Sequence, residues 1–431
     1  MRYSNSILIL FTLSVFCSCK HETKVIVSSA FVDSLITNYS PAAIHANETE
    51  MDFWRNRIRP DGVDMVNGSK YASSLIARFN LTGDIQDVKS SDSILYHLAY
   101  AFNNKEAGPY LGLTAHAILQ HQFRNADSLL KIAKSIGLKS YESNSTAFDV
   151  DFELGRISAA AKDLANIRAE NDYGYQFRRS KMAHYSGALD SSIAFMEKAY
   201  TLAGQDKGLQ QIALSNAADL NIHAGNLDQA YVYYVRCIRM NPADLHSIMG
   251  IGWIALVHDN NDSLAEKIFQ FVQTKTRSAE PLFKLVMAAQ HRKDKALELK
   301  YAKEFEAVAS GPSFGNMYNK YLIQLYTGIL NDKNKAEAIA LKELDTRATP
   351  QTFAWYAWAL LNNNKKEEAY KVYEKNISGK PLEGLELYYA GKLMGKLNKG
   401  YNAQQYFKEA LKNKYDLSPA IAKDLEVTSK E

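Results

Sequence analysis

Apolar residues recur every three or four positions along most of the chain, in paired segments separated by short polar breaks. In the clearest unit, residues 349–380, the first segment ends at the asparagines 362–364, and a second apolar segment runs from there toward Pro381. This spacing places apolar side chains on one face of an α-helix, and proline stops a helix. The pattern therefore predicts two helices joined by a tight turn.

The helix pair repeats with a period of about 35 residues, and a small residue near the start of each second helix marks the period. We place this marker at Val88, Ala126, Ala160, Ser192, Ala230, Ala265, Ala296, Ala338, Ala369 and Ala403. Glycine and asparagine tolerate the left-handed backbone conformation that ends a helix. One of them stands five residues before seven of the markers, at Gly83, Gly155, Gly187, Gly225, Asn260, Asn364 and Asn398. These intervals predict about ten stacked hairpins over residues 66–415.

The longest interval between markers runs from Ala296 to Ala338. It contains Gly311 and Gly315 with a proline between them. Glycine and proline interrupt helices. We therefore predict a hinge at residues 310–315.

Two other residue types recur at fixed distances from the marker. Aromatic residues stand four positions after it at Tyr234, Phe269, Tyr373 and Phe407. Prolines stand twelve positions after it at Pro242, Pro350 and Pro381. This combination resembles the tetratricopeptide repeat (TPR), a 34-residue helix–turn–helix unit. The resemblance covers roughly residues 66–415 and implies an all-α fold, an α-solenoid of about ten TPR-like hairpins forming a right-handed superhelix.

The composition agrees with a helical solenoid. Nine prolines and 22 glycines among 431 residues are too few for a turn-rich β protein. A formal net charge of +4 is too small to indicate a nucleic-acid partner. Because stacked hairpins contact only their neighbours, a chain of this length need not divide into two or three separate domains.

The first residues resemble the signal sequence of a bacterial lipoprotein. Arg2 precedes an apolar run at residues 7–16 that is too short to span a bilayer. The resemblance implies that residues 1–18 are removed and that Cys19 carries the lipid anchor; a plain secretion signal and a buried N-terminal helix are the alternatives. Lys20 stands where an aspartate would retain such a protein in the inner membrane. This favours the bacterial outer membrane, with the protein facing the periplasm in preference to the cell surface.

Two segments flank the predicted repeats. We expect residues 19–65 to form a lipidated tether and helices that cap the first repeat, and residues 416–431 to form a C-terminal tail. The chain beyond Cys19 has one cysteine, Cys237, at a small-residue packing position. Gly250 and Gly252 lie in an apolar helical segment that lacks the strand of a nucleotide-binding loop. We interpret these two glycines as sites of close helix packing.

Motifs for catalysis or cofactor binding are missing from the sequence. It holds no Walker-type phosphate loop, no GxSxG elbow and no HExxH pair. Asp149, Asp151 and Glu153 begin like a calcium loop, but Leu154 and Ala160 replace the glycine and glutamate that such a loop requires. We therefore predict a protein that is not an enzyme and that has no cofactor and no metal.

In repeats of this family, the first helix of each hairpin lines the concave face. The residues that this implies for an aromatic binding strip are Trp253, Trp355, Trp358, Tyr388 and Lys392. Such rings bind apolar peptides or sugars, and the alternative is that they pack the helices together.

A second candidate for partner binding is basic. Arg178 and Lys181 stand where carboxylate-clamp repeats hold an acidic or C-terminal group. The alternative is that both are solvated basic residues.

The resemblance implies a protein-binding role. The leading hypothesis is an outer-membrane-anchored scaffold or assembly factor that binds an envelope protein or peptide, with the membrane contacted through the lipid alone. A glycan-binding lipoprotein of a nutrient-uptake system is the second hypothesis, and an unrecognised enzyme is the third. The sequence does not specify the oligomeric state.

Overall fold

The computed structural model describes residues 24–429, and the predicted signal peptide and Cys19 lie outside this range. Within it, the regular elements are α-helices and one short 3-10 helix, Lys414–Asp416, and no strand is present. Consecutive helices pair as hairpins, and each hairpin packs against the next along the chain. The predicted all-α solenoid of helix hairpins is confirmed.

Two helices precede the hairpins, α1 (Ser29–Thr37) and α2 (Ala42–Arg55), and α23 (Pro419–Thr428) follows them. The ten hairpins of the described chain are α3 (Met65–Thr82) with α4 (Ile85–Ala101), α5 (Ala107–Leu119) with α6 (Phe123–Ile136), α7 (Ser140–Glu153) with α8 (Ile157–Ile167), α9 (Tyr173–Tyr185) with α10 (Leu189–Leu202), α11 (Lys207–His223) with α12 (Leu227–Met240), α13 (Leu245–Val257) with α14 (Asp262–Gln273), α15 (Glu280–His291) with α16 (Lys295–Ala309), α17 (Asn319–Thr327) with α18 (Lys333–Thr346), α19 (Pro350–Asn362) with α20 (Lys366–Asn376), and α21 (Gly384–Lys396) with α22 (Gly400–Leu411).

Short polar residues determine where the helices begin and where the hairpins turn. An aspartate carboxylate accepts a hydrogen bond from the first helical turn at Asp64, Asp84, Asp172, Asp206, Asp244, Asp294 and Asp332. Such a cap satisfies a backbone N–H that has no partner within the helix. Each hairpin turn contains one residue with a left-handed backbone, at Gly83, His121, Gly155, Gly187, Gly225, Asn260, Lys293, Asn331, Asn364 and Asn398.

These left-handed residues establish the true repeat register. The small residue five positions later is buried at eight of the ten predicted markers. The other two, Ala296 and Ala338, are wrong because both are exposed, and the buried residues in register are Glu298 and Ala336. Lysine rarely adopts a left-handed backbone, so the pattern of glycine and asparagine gave no signal at Lys293.

The corrected register removes the argument for a hinge at residues 310–315. The interval that suggested it shrinks to about 38 residues, as long as the interval from Val88 to Ala126. The segment is a series of turns, and the ring of Phe314 within it is buried in the core 5.2 Å from the ring of Tyr318, centroid to centroid. The spacing therefore no longer supports a hinge there.

Close approach of helices explains the glycines inside the apolar segments. A β-carbon on Gly250 would lie 2.4 Å from the ring of Tyr234, and one on Gly252 would lie 2.6 Å from the ring of Phe269. The interpretation of both glycines as packing sites is confirmed.

Cys237 is fully buried in the same core, and burial raises the pKa of its thiol to about 12. A thiol that keeps its proton is a poor nucleophile.

The superhelix returns onto itself, so that successive turns of the solenoid touch. The Thr82 carbonyl accepts hydrogen bonds from the next turn at Thr276, and Arg347 pairs with Glu153 at 3.4 Å. These partners are 194 residues apart in the chain. One superhelical turn therefore takes about five and a half repeats of 35 residues.

The N-terminal segment does not cap the first repeat as a whole. Helix α2 packs against α3, but α1 packs against α14, more than 200 residues along the chain. Phe31 contacts the ring of Tyr231, and Val27 is buried in the same core. The prediction that both helices cap the first repeat is wrong for α1, because the returning superhelix presents α14 to it.

A buried carboxylate holds this segment. The Asp259 side chain accepts hydrogen bonds from the backbone N–H of Ile26 at 3.0 Å and of Val27 at 2.8 Å. We expect Asp259→Ala to weaken the docking of residues 24–38 by about 2 kcal/mol, because it leaves two N–H groups without their charged acceptor. Hydrogen exchange at these two amides should accelerate, whereas Asp33→Ala, which removes an exposed ion pair, should change it little. Equal effects of the two substitutions would contradict this account.

The segment predicted as a C-terminal tail contains a packed helix. Helix α23 lies against α22 and crosses to α15, and Leu425 is fully buried. Ser418 caps α23 by accepting a hydrogen bond from the Ile421 N–H at 3.3 Å. The C-terminal helix therefore closes one side of the concave face.

Candidate functional site

The concave face of the closed superhelix contains two adjoining cavities. The larger, about 1030 Å³, lies among α7, α9, α17, α19 and α21, and we call it the channel cavity. The smaller, about 350 Å³, lies among α11, α13, α15 and the C-terminal segment, and we call it the side cavity. Six residues line both: His223, Lys320, Tyr321, Glu383, Gly384 and Asp416.

A charge cluster lies at the boundary between the two cavities. Lys320 on α17 places its Nζ 3.5 Å from Glu386 Oε1 and 4.0 Å from Glu383 Oε2. The Glu386 side chain is fully buried, and its Oε1 also accepts a 2.6 Å hydrogen bond from the Trp355 indole N–H. Its Oε2 has no hydrogen-bond partner within the described chain. One ammonium group therefore serves two carboxylates.

The surroundings separate the proton affinities of these groups. Burial by itself would lower the pKa of Lys320, but Glu386 and Glu383 outweigh it and raise that pKa. Burial raises the pKa of Glu386. Burial by itself would raise the pKa of Glu383, but the nearby positive charges, Lys320 foremost, outweigh it and lower that pKa. Lys320 and Glu383 are therefore the charged pair, and Glu386 is the carboxyl that takes up a proton most readily.

Two histidines extend the cluster across the contact between superhelical turns. His223 Nδ1 lies 2.5 Å from Asp416 Oδ2, and the His184 ring lies 4.7 Å from the His223 ring. Burial opposes protonation of His223, but Asp416 outweighs it and raises the pKa. Burial and the neighbouring His223 lower the pKa of His184. Adjacent imidazoles thus favour opposite charge states.

The side cavity contains a second ion pair. His246 Nε2 lies 3.0 Å from Asp219, and Tyr234 donates a 2.5 Å hydrogen bond to the same carboxylate. The Asp219 charge raises the pKa of His246 to about 10, against the opposing effect of burial. The His246 side chain is 52% accessible and lines the cavity. A protonated imidazole therefore faces this cavity at neutral pH.

The predicted aromatic strip is divided between cavities. Trp253 lines the side cavity and Trp355 the channel cavity, and their exposed fractions are 6% and 5%. The Trp253 indole N–H donates a 2.7 Å hydrogen bond to the Tyr415 carbonyl, as that of Trp355 does to Glu386. Both rings therefore hold elements of the fold together.

Of the remaining residues of the strip, Trp358 and Tyr388 line a third cavity of about 390 Å³ beside α23. Trp358 stacks on Tyr389 with ring centroids 4.4 Å apart. Tyr388 donates a 2.9 Å hydrogen bond to Asp424 of α23, and Lys392 pairs with the same carboxylate. These side chains anchor the C-terminal helix, which agrees with the packing alternative.

The two predicted clamp residues are already paired. Arg178 contacts Asp149 at 2.5 Å, and Lys181 contacts Glu153 at 3.1 Å. Lys181 lines the channel cavity. Neither is a free cation, so the structure does not assemble a carboxylate clamp from these two residues.

The sequence analysis did not single out the charged residues of the cavities. Lys320 and Glu386 come from different hairpins, and their meeting depends on the superhelical geometry. One signal was present: Lys284 is the lone charged residue in the apolar run 281–289. A lysine on an otherwise apolar inward face is the kind of polar exception that indicates a site.

Between residues 24 and 429, no group of three or more His, Cys, Asp or Glu side chains is placed to hold a metal ion. In the same range, no helix has the length and apolar character needed to cross a bilayer.

No protein-family profile and no curated protein matches the chain. Similar solved structures include pilF of Pseudomonas aeruginosa, with 11% identity over 50% of this chain and 97% of that chain and a TM-score of 0.36. A tetratricopeptide repeat protein from Parabacteroides merdae has 15% identity over 68% of this chain and 99% of that chain, with a TM-score of 0.34. A human IFIT1 dimer with PPP-AAAA has 12% identity over 84% and 94%, with a TM-score of 0.44. These likenesses concern the fold alone, and the hairpin architecture rests on the pairing of this chain's own helices.

Proposed function

We propose that this protein is a lipid-anchored, TPR-like scaffold of the bacterial outer membrane that binds an extended segment of an envelope protein in the channel cavity. The observation that carries the proposal is the size and polarity of this cavity within a closed superhelix. Its volume of about 1030 Å³ exceeds what one small metabolite fills. Its wall includes charged side chains of both signs: Asp190, Lys380, Glu409 and Lys412. Electrostatic complementarity selects a polar segment that carries both charges.

The proposed anchor restricts how the scaffold faces the membrane. Four residues lie between Cys19 and Lys24, so the two α-carbons are at most about 18 Å apart. Helix α1 begins soon after Lys24 and docks on α14. A lipid on Cys19 therefore holds the α1–α14 side of the solenoid near the bilayer, and the polar channel is accessible from the periplasm.

Glycan binding through the predicted aromatic strip has less support. A sugar ring stacks on an open aromatic face. Trp355 is 5% exposed, and Trp358 already stacks on Tyr389. Neither ring offers such a face, so the peptide-binding proposal is preferred.

Charge reversal in the channel tests the proposal. Lys412 lines the channel cavity with its side chain 68% exposed, so Lys412→Glu should leave the fold intact. We expect the tagged wild-type chain, purified from membranes in mild detergent, to retain one protein in stoichiometric amount. Lys412→Glu should weaken binding of that purified partner by about tenfold. Calorimetric titration measures the change.

The matched control is Lys300→Glu. Lys300 is similarly exposed, at 60%, beside Glu304, and it lines none of the three cavities described. Equal weakening by the two reversals would place binding outside the channel.

A separate experiment tests the anchor: Cys19→Ser should move the chain from the membrane fraction to the soluble fraction, and continued sedimentation with membranes would overturn the lipid assignment.

A further inference from the structure

The side cavity carries two opposite charges that no ion pair of the described chain neutralises. Glu280 and Lys284 lie one turn apart on α15, and both line this cavity. A glutamate four residues before a lysine ordinarily forms an ion pair on a helix. Here no ion pair within 4 Å and no side-chain hydrogen bond joins either group to the described chain.

The other charged groups that face the side cavity are already matched. Asp219 pairs with His246, Asp416 pairs with His223, and Glu383 pairs with Lys320. Glu280 and Lys284, which form no ion pair, are therefore the exceptions in this wall. Both residues are part-buried, so each charge loses part of its hydration, and a ligand that carries the complementary pair supplies the missing partners.

Aromatic and aliphatic side chains complete the wall. The Lys284 ammonium lies 3.8 Å from the ring centroid of Trp253, which the indole hydrogen bond to the C-terminal segment holds in place. Burial lowers the pKa of Lys284, whereas Glu280 opposes that shift. The apolar part of the wall is formed by Met249, Phe283, Met287, Leu385 and Ile421. The cavity thus offers a charged end and an apolar end.

We propose that the side cavity binds a free α-amino acid with a large apolar side chain. Its ammonium group contacts Glu280, its carboxylate contacts Lys284, and its side chain packs against Phe283 and Met287. A volume of about 350 Å³ lies at the lower end of small-molecule sites, which suits a ligand of this size. The side cavity adjoins the channel cavity at Lys320. This site is independent of the protein segment proposed for the channel.

Calorimetric titration of the full chain in detergent tests the proposal with leucine, methionine, phenylalanine and tryptophan as probes. We expect saturable one-to-one binding of at least one of them. Its N-acetyl derivative, which lacks the ammonium group, and its decarboxylated amine should each bind about tenfold more weakly. Absence of binding by all four amino acids at about 1 mM would overturn the proposal.

Two substitutions assign each end of the ligand. In Glu280→Gln, the amino acid and its N-acetyl derivative should bind with similar affinity. In Lys284→Met, the amino acid and the corresponding amine should bind with similar affinity. Lys300→Met, outside the cavities, should leave all affinities unchanged. Wild-type discrimination that survives both substitutions would show that the ligand binds elsewhere, and this outcome leaves the channel proposal untouched.

Discussion

Replacing Lys320 with methionine is expected to lower the free energy of unfolding by about 3 kcal/mol at neutral pH. The substitution preserves most of the side-chain volume and removes the ammonium group that pairs with both Glu386 and Glu383. Glu386 has no solvent exposure, and one of its carboxylate oxygens has no hydrogen-bond partner in the described chain. Breaking a buried pair costs more than the pair contributes, because the remaining charge stays buried. Chemical denaturation of wild type and variant measures the loss.

The loss of stability in Lys320→Met should depend on pH, and the protonation of Glu386 determines the direction of this dependence. Burial raises its folded pKa above the ordinary value of 4.5, so the folded state takes up a proton more readily than the unfolded state. The stability that this proton uptake provides is present at low pH and is lost as the pH rises through the folded pKa. The deficit of Lys320→Met should therefore be smaller at acid pH, where Glu386 takes up a proton, and should grow as the pH rises above the ordinary value of 4.5.

Two further variants separate this explanation from a general loss of packing. Glu386→Gln keeps an acceptor for the Trp355 indole N–H and removes the charge, so adding it to Lys320→Met should restore most of the lost stability. Lys335 also lies between two acids, at 3.2 Å from Glu306 and 3.6 Å from Asp332, but its side chain is 57% exposed. Lys335→Met should cost far less stability than Lys320→Met, because solvent screens an exposed ion pair. A double variant no more stable than Lys320→Met would refute the buried-charge explanation.

The fold was predictable from the sequence because a solenoid is built from local contacts. Each hairpin packs on its neighbours, so period, turn residue and small packing residue all lie within about 35 residues of one another. The register failed at Ala296, where the left-handed turn residue Lys293 gave no compositional signal, and at Ala338, although Asn331 marks the correct register there. Eight of the ten markers are buried in the predicted place.

The site was less predictable because it depends on contacts between superhelical turns. His223 meets Asp416 across 193 residues, and α1 meets α14 across more than 200. No periodicity specifies such contacts; they follow from the pitch of the finished superhelix. The prediction that Trp253 and Trp355 lie on first helices was sound. Whether the rings face a partner or the protein interior depended on neighbours such as Glu386, which the repeat pattern does not describe.

Substitution of Gly391 by alanine should destabilise the last hairpin by about 2 kcal/mol, although alanine is the better helix former. A β-carbon at this position of α21 would lie 2.4 Å from one ring atom of Phe407 and 2.6 Å from another. The Phe407 side chain is 6% exposed, so the ring cannot move into solvent. The two helices must separate or the ring must leave its preferred rotamer, and either change disrupts a close-packed core.

The same helix provides the control. Gly395 lies one turn after Gly391, and a β-carbon there would meet no atom within 4 Å. Gly395→Ala should therefore stabilise the protein by about 0.5 kcal/mol through helix propensity alone. Repeat proteins unfold partly by segments. Hydrogen exchange in α21 and α22 therefore measures the local change in stability more directly than denaturation of the whole chain, which should be recorded as well. Shortening the ring by Phe407→Leu should recover part of the loss in Gly391→Ala. An equal gain in stability from both glycine substitutions would show that α21 and α22 do not pack as closely as described.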